Sequence, residues 1–240
     1  MRTQTAPLAR FKALAGGALD LLYPQRCAGC GAFRTLLCAR CAAKMTSAKG
    51  EGRCKNCAAA WPGADYCPRC LHWSSIDRCL AAYEMTGPAR DLTHLLKFGG
   101  VRAAAGIMAA AMADLREVAP FDIAIPAPIH ARRRRKRGFN QAELIARATG
   151  WPVGLNLLKV SHTRPQVGLG LKERIANVRD AFGYDGPPLT GQTVAVIDDV
   201  VTTGATVDEC ARVLKLHGAA RVIAVAFVRT SYLGNPPSDA

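Results

Sequence analysis

The run from Val194 to Thr206, V-A-V-I-D-D-V-V-T-T-G-A-T, places two adjacent carboxylates, Asp198 and Asp199, between an apolar stretch and a bend rich in threonine. A continuous apolar stretch of this kind reads as a strand buried on both faces. In open α/β sheets, ligands bind at the C-terminal edge of such strands. Beyond the carboxylates the chain turns through Val200, Val201, Thr202, Thr203 and Gly204 into a helix that starts near Ala205 and Thr206. Backbone N–H groups and threonine hydroxyls at a helix start can donate to a phosphate dianion, and the helix dipole adds to the attraction. Glycine in the bend lets the backbone approach closely. Carboxylates accept hydrogen bonds from hydroxyls, so the two features together suit a ligand carrying both a phosphate and a diol, a ribose 5-phosphate. The competing reading is an ordinary strand-to-helix turn capped by Asp199 and the threonines.

A second chemistry lies upstream. Eight of the ten cysteines fall in four C-x-x-C pairs, Cys27/Cys30, Cys38/Cys41, Cys54/Cys57 and Cys67/Cys70. This spacing suits tetrahedral zinc better than disulfides, and each quartet can close one structural four-thiolate site from two knuckles. The spacing does not exclude a cross-braced arrangement, in which the first and third knuckles share a metal. Redox use of the pairs would need a thioredoxin-like context that is absent. Arg26, Arg34, Arg40, Lys44, Lys49, Arg53, Lys55 and Arg69 lie among the knuckles, with Trp61, Tyr66 and Trp73. Those aromatics either stack on bases or cover the small apolar centre.

Elements must position these groups. From about Ala81, apolar runs alternate with helical patterns: helices near Pro88–Phe98 and Val101–Val118, a strand at Asp122–Ala127, a helix at Asn140–Ala148 and a strand within Leu155–Val160. A helix near Leu171–Val178, a strand at Thr193–Ile197, a helix at Ala205–His217 and a strand at Val222–Val228 follow. Such alternation predicts an α/β fold with a mostly parallel sheet flanked by helices. Gly218 is placed to end the penultimate helix. Asn140 is placed to cap its helix, with Glu143 completing a capping-box-like pattern. Cys210 shares a helical face with Val207, Ala211 and Leu214 and reads as core, whereas Cys79 is either buried or a spare thiol.

Half of the residues are apolar and 21% are charged, a globular composition. The stretch Leu8–Tyr23 carries Arg10, Lys12 and Asp20, which argues against a signal peptide and for an amphipathic docking helix. Apolar runs stay short of the roughly 18 residues of a membrane span. Free paired cysteines imply a reducing compartment, so a cytoplasmic location is expected. Residues 1–79 carry 12 basic and 4 acidic side chains and residues 80–240 carry 20 and 14. Arg132, Arg133, Arg134, Arg135, Lys136 and Arg137 account for the whole excess of the second part. Two zinc sites of four thiolates each would lower the formal +14 to about +10. The basic bias that survives favours polyanionic partners.

The segment Val194–Thr206 resembles the PRPP-binding motif of type I phosphoribosyltransferases. The resemblance implies that Asp198 and Asp199, as the catalytic pair, hold the ribose hydroxyls, that Val200–Thr206 enclose the 5′-phosphate and that Mg²⁺ assists. PRPP also carries pyrophosphate, and the run D-I-A-I-P-A-P-I-H, with Pro126, Ala127 and Pro128 ending its strand, is the expected second anion loop. The basic hexad follows as a loop that serves pyrophosphate, a nucleic-acid backbone or solvent. Ser161–Arg174 is a candidate closing loop or a plain connector.

Four cysteine pairs, then L-L-K-F-G from Leu95, Pro126-Ala127-Pro128, R-G-F-N-Q from Arg137, T-R-P-Q from Thr163, R-I-A-N-V-R-D-A-F from Arg174 and the PRPP motif, together resemble the ComF (ComFC/GntX-like) family. The resemblance implies an N-terminal double zinc-ribbon module and a phosphoribosyltransferase-like domain. It also implies a role in DNA uptake during natural transformation, with single-stranded DNA, a ComF-type helicase and other competence proteins as partners. On this reading residues 1–24 form the amphipathic helix, 25–79 the ribbons, 80–231 the phosphoribosyltransferase-like domain and 232–240 a loose tail. A non-catalytic DNA-binding adaptor with PRPP as effector and a zinc-ribbon transcription regulator are the rival readings.

Overall fold

The computed structural model describes residues 25–61, 63, 65–160 and 178–230. The expected N-terminal helix, the run Ser161–Arg174, nearly all of the helix near Leu171–Val178 and the tail lie outside the described residues.

In chain order the elements are α1 (Ala39–Ala42), β1 (Arg78–Glu84), α2 (Gly87–Lys97), α3 (Ala104–Met112), α4 (Leu115–Val118), β2 (Ile123–Pro126), α5 (Ala131–Arg137) and α6 (Gln141–Ala148). Then come β3 (Leu157–Lys159), β4 (Phe182–Tyr184), β5 (Thr193–Val201), α7 (Ala205–Leu216) and β6 (Arg221–Arg229). Four strands form one parallel sheet in the order β1-β6-β5-β2. Because every pair is parallel, the C-terminal ends at Glu84, Pro126, Val201 and Arg229 all reach the same edge.

Side chains alternate across this sheet with period two. Val194, Val196, Val222, Ala224 and Ala226 face a layer built from α7 and the second cysteine quartet. Ala195, Ile197, Ile223, Val225 and Phe227 face α2, α3 and α6, against which Ala28, Leu37 and Met45 of the first ribbon also pack. The segment between the ribbons covers the free edge of β1, with Ala48 N donating to Ala82 O at 3.0 Å and Glu84 N to Thr46 O at 2.8 Å. An exposed strand edge is thereby closed off.

The basic hexad is not a loop. It forms α5, in keeping with the good helix propensity of arginine and lysine. His130 accepts from Arg132 N at its start, and Gly138, at φ 76°, ends it in the left-handed conformation. The single helix expected over Val101–Val118 is two, α3 and α4, and at the break Asp114 turns out to Lys49 at 2.6 Å while Leu115 is buried. The strand read within Leu155–Val160 is β3, which pairs antiparallel with β4 outside the main sheet and leaves Leu158 and Val160 exposed. Asn140 caps α6 by accepting from Ala142 N at 3.0 Å, but the capping box does not form, because Glu143 turns instead to Arg134 and Arg147. Cys79 and Cys210 are both buried.

Candidate functional site

A cleft of about 580 Å³ opens where the sheet's C-terminal edge meets α2, α5 and α6. Asp198, Asp199 and every residue from Val200 to Thr206 line it, together with Ala127, Pro128, Arg133 and Arg137. Of the hexad, Arg132, Arg134, Arg135 and Lys136 point elsewhere and are exposed. Pro126 ends β2 behind the wall.

Asp199 is 5% exposed, and its Oδ2 lies 3.2 Å from Lys97 Nζ as an ion pair, with no hydrogen-bond donor aligned on it among the described residues. A buried acceptor in that condition fits a ligand hydroxyl or a cation. Burial, reinforced by the neighbouring Asp199 carboxylate, pushes Asp198 well above the usual carboxylate range. Among the described residues, no acceptor engages the N–H groups of Thr202, Thr203 or Gly204. Gly204 adopts φ 88° and starts α7. Helix-start donors and carboxylates thus meet in one cleft.

The opposite wall is cationic. Burial holds Lys159 and Arg137 below their ordinary values, and Arg133 pushes both further down. Cations that disfavour one another in a partly dry site are relieved by an anionic ligand. The Pro126–Pro128 segment has little backbone to offer such an anion, because Ala127 N already donates to Ile197 O at 2.8 Å and prolines carry no N–H. Asn140 Nδ2 fixes this segment by donating to Ala127 O at 3.0 Å.

Sequence reasoning missed Lys97, Phe98, Gln141 and Lys159, all of which line the cleft, as does His130 at the end of the expected anion loop. Phe98 is 70% exposed at the rim, with the Arg137 guanidinium 5.8 Å from its ring centre. Gln141 is buried and its Nε2 has no partner among the described residues. Lys97 and Phe98 sit in the L-L-K-F-G run and Gln141 in R-G-F-N-Q, the only signals that could have drawn attention to them.

The cysteines fall into two sequential quartets, Cys27/Cys30/Cys38/Cys41 and Cys54/Cys57/Cys67/Cys70, each with sulfurs within 4.8 Å of one another. The cross-braced alternative is excluded by this grouping. In the second quartet Cys54–Cys70 and Cys57–Cys67 are 3.8 and 3.4 Å apart, close to the ~3.8 Å edge of a tetrahedron with Zn–S bonds of about 2.3 Å. Burial opposes charge on Cys54, yet backbone N–H groups of Cys67, Cys57 and Asn56 bring it down to about 7. Cys27 is brought down to about 6 in the same way, against burial, by the N–H groups of Cys38, Cys30 and Gly29. Knuckle amides aimed at sulfur are the environment of a metal-bound thiolate. Of Trp61, Tyr66 and Trp73, Trp73 is buried and Trp61 half-buried against the core, whereas Tyr66 is exposed.

Among the described residues no helix is long and apolar enough to cross a membrane. The double zinc ribbon domain profile matches residues 18–71, which makes the two quartets four-cysteine zinc-ribbon sites, and the phosphoribosyl transferase domain profile matches residues 136–238. The chain is 31% identical over 180 residues to the "DNA utilization protein YhgH" of Salmonella typhi, covering 68% of this chain and 78% of that one. It is 28% identical over 201 residues to "Competence protein F" of Haemophilus influenzae, covering 78% and 87%. To "Competence protein ComFC" of Streptococcus pneumoniae it is 26% identical over 194 residues, covering 73% and 87%. With its paired zinc ribbons, parallel sheet and phosphoribosyl transferase domain, the chain belongs to the ComF family.

Proposed function

We propose that the cleft binds PRPP and that the protein transfers its phosphoribosyl group in the handling of single-stranded DNA during uptake, acting in the cytoplasm with a ComF-type helicase and other competence proteins. One observation carries the ligand assignment. The buried Oδ2 of Asp199, ion-paired to Lys97 but accepting no hydrogen bond among the described residues, and the unengaged amides of Thr202, Thr203 and Gly204 share one cleft, which asks for a hydroxyl and a phosphate on the same molecule. Asp199, with Asp198, accepts from the ribose hydroxyls. Thr202–Thr206 take the 5′-phosphate. Lys97, Arg133, Arg137 and Lys159 face the leaving pyrophosphate, where charges set in advance stabilise the developing anion. Mg²⁺, when bound, neutralises pyrophosphate oxygens, and Asp198 and Asp199 are the carboxylates in this cleft suited to it. Arg132, Arg134, Arg135 and Lys136, exposed beside the cleft mouth, suit a phosphodiester backbone, and Phe98 at the rim suits a stacked base.

The test is PRPP titration followed by a pyrophosphate-release assay with nucleobases and single-stranded DNA as acceptors. Binding and release in the wild type, both abolished by Asp199→Asn, support the transferase. Binding without release for any acceptor assigns the cleft to an effector role in a DNA-binding adaptor. A protein that does not bind PRPP overturns the reading.

A further inference from the structure

The carbonyl oxygens of the phosphate loop are held from behind, and the residues that hold them belong to the second zinc ribbon or touch it. Thr203 O accepts from Trp73 Nε1 at 2.8 Å and from His72 Nε2 at 3.0 Å. Val201 O accepts from Arg229 Nη1 at 2.9 Å, and the same Nη1 donates to Thr202 O. Arg229 lies at the end of β6, is 3% exposed, and donates Nε to Cys57 O at 2.9 Å. Trp73 N donates to Cys70 O at 3.1 Å. Each knuckle of the second quartet therefore anchors one brace: Cys54/Cys57 through Arg229, and Cys67/Cys70 through Trp73.

The brace also sets the shape of the loop. A Cβ on Gly204 would stand 2.3 Å from Trp73 Nε1, so the indole rests directly on the backbone of the bend. Asp208 in α7 accepts from the backbone N–H groups of Ser75 at 2.9 Å and Ile76 at 3.0 Å, which locks the segment after Trp73 to the same helix. With the carbonyls of residues 201–203 engaged on the ribbon side, the amides of Thr202, Thr203 and Gly204 are left for the cleft. Turning one peptide to break that pattern costs a buried hydrogen bond on the ribbon side.

We infer that Trp73 and Arg229, seconded by His72, are positioning residues of the phosphate loop, and that the second zinc ribbon is a working part of the phosphoribosyl site. The inference rests on the reading of the cleft as a PRPP site for its functional consequence, though not for the brace itself. Because the ribbon's fold sets where Trp73 and Cys57 O lie, occupancy of the second metal site and ligand affinity are linked, each raising the other.

The experiment uses the full chain, zinc-loaded, as wild type, Trp73→Phe and Arg229→Lys. Trp73→Phe keeps an aromatic ring at this position but removes the N–H donor together with the indole edge, Nε1, Cε2 and Cζ2, that rests on Gly204. Hydrogen exchange of the peptide spanning residues 198–207 reads the brace without any ligand, and PRPP calorimetry reads its consequence. Trp73→Phe, with zinc content unchanged, is expected to speed exchange in the loop and to weaken PRPP at least about two- to tenfold, the loss of one hydrogen bond and of the indole contact on Gly204. Arg229→Lys, which loses the planar fork, is expected to weaken it by more than about tenfold. Exchange and affinity equal to wild type in both variants overturn the inference and leave the PRPP reading intact. Loosened loops in a protein whose wild type never binds PRPP support the brace and overturn the PRPP reading alone.

Discussion

Gly204→Ala tests the contact between ribbon and loop most sharply. Position 204 sits at φ 88°, where a non-glycine residue costs about 1–2 kcal/mol. The added methyl would lie 2.3 Å from Trp73 Nε1 and about as close to two other indole atoms, so the ring must withdraw. Its hydrogen bond to Thr203 O, 2.8 Å long, is then lost, which costs about 0.5–1.5 kcal/mol more. With residual overpacking the total is about 2–4 kcal/mol. For a chain of this size that lowers Tm by roughly 5–15 °C. The assay is calorimetric melting together with urea denaturation, where the midpoint should fall while the slope stays constant. The double variant Gly204→Ala/Trp73→Ala should cost less than the sum of the two single changes by about 1–2 kcal/mol, because the steric part disappears when the indole is gone. Stability of Gly204→Ala within about 0.5 kcal/mol of wild type, or simple additivity, would refute the reasoning.

Three further outcomes are expected. Asp198 titrates above its usual 3.8, so the folded chain keeps a proton that the unfolded chain releases, and stability falls as pH rises through the window between 3.8 and the raised folded value. Asp198→Asn should therefore be more stable than wild type at neutral pH by urea denaturation, with the advantage vanishing below about pH 4; an advantage that does not vary with pH contradicts the burial argument. Metal analysis should find two zinc ions per chain, and Cys27→Ser/Cys30→Ser should retain one, since the quartets are separate; loss of both would show that the ribbons share ligands. Replacing Arg135 and Lys136 by serine should lower the salt dependence of single-stranded DNA binding by about 0.7 in slope per lost phosphate contact and leave PRPP affinity unchanged; an unchanged slope removes α5 from the DNA surface.

The parts legible in the sequence were those where one chemical pattern admits one structure. V-A-V-I and V-I-A-V-A-F-V are strands because they are buried on both faces by helices and ribbon, and the cysteine spacing already held the two metal sites. Other parts depend on neighbours distant in sequence. β1 reads as R-C-L-A-A-Y-E, with alanines where branched residues would mark a strand, and it is a strand because β6 and the segment Thr46–Ala48 pair with its two edges. The hexad is the exception, because its helix signals were local: arginine and lysine favour helix, and His130 and Gly138 bracket the run. Trp73 stayed open between stacking on a base and covering the apolar centre, because the residue it covers, Gly204, is 131 positions away. Lys97 and Gln141 lie on separate helices that only the fold brings to Asp199.

The measurement closest to the central claim is a crystal structure of the zinc-loaded chain with PRPP and Mg²⁺. The 5′-phosphate should sit on the amides of Thr202–Thr206 with the ribose hydroxyls on Asp199, while the carbonyls of residues 201–203 stay bonded to Arg229 and Trp73. A cleft that stays empty at saturating PRPP, or a ligand whose phosphate lies away from this loop, would contradict it.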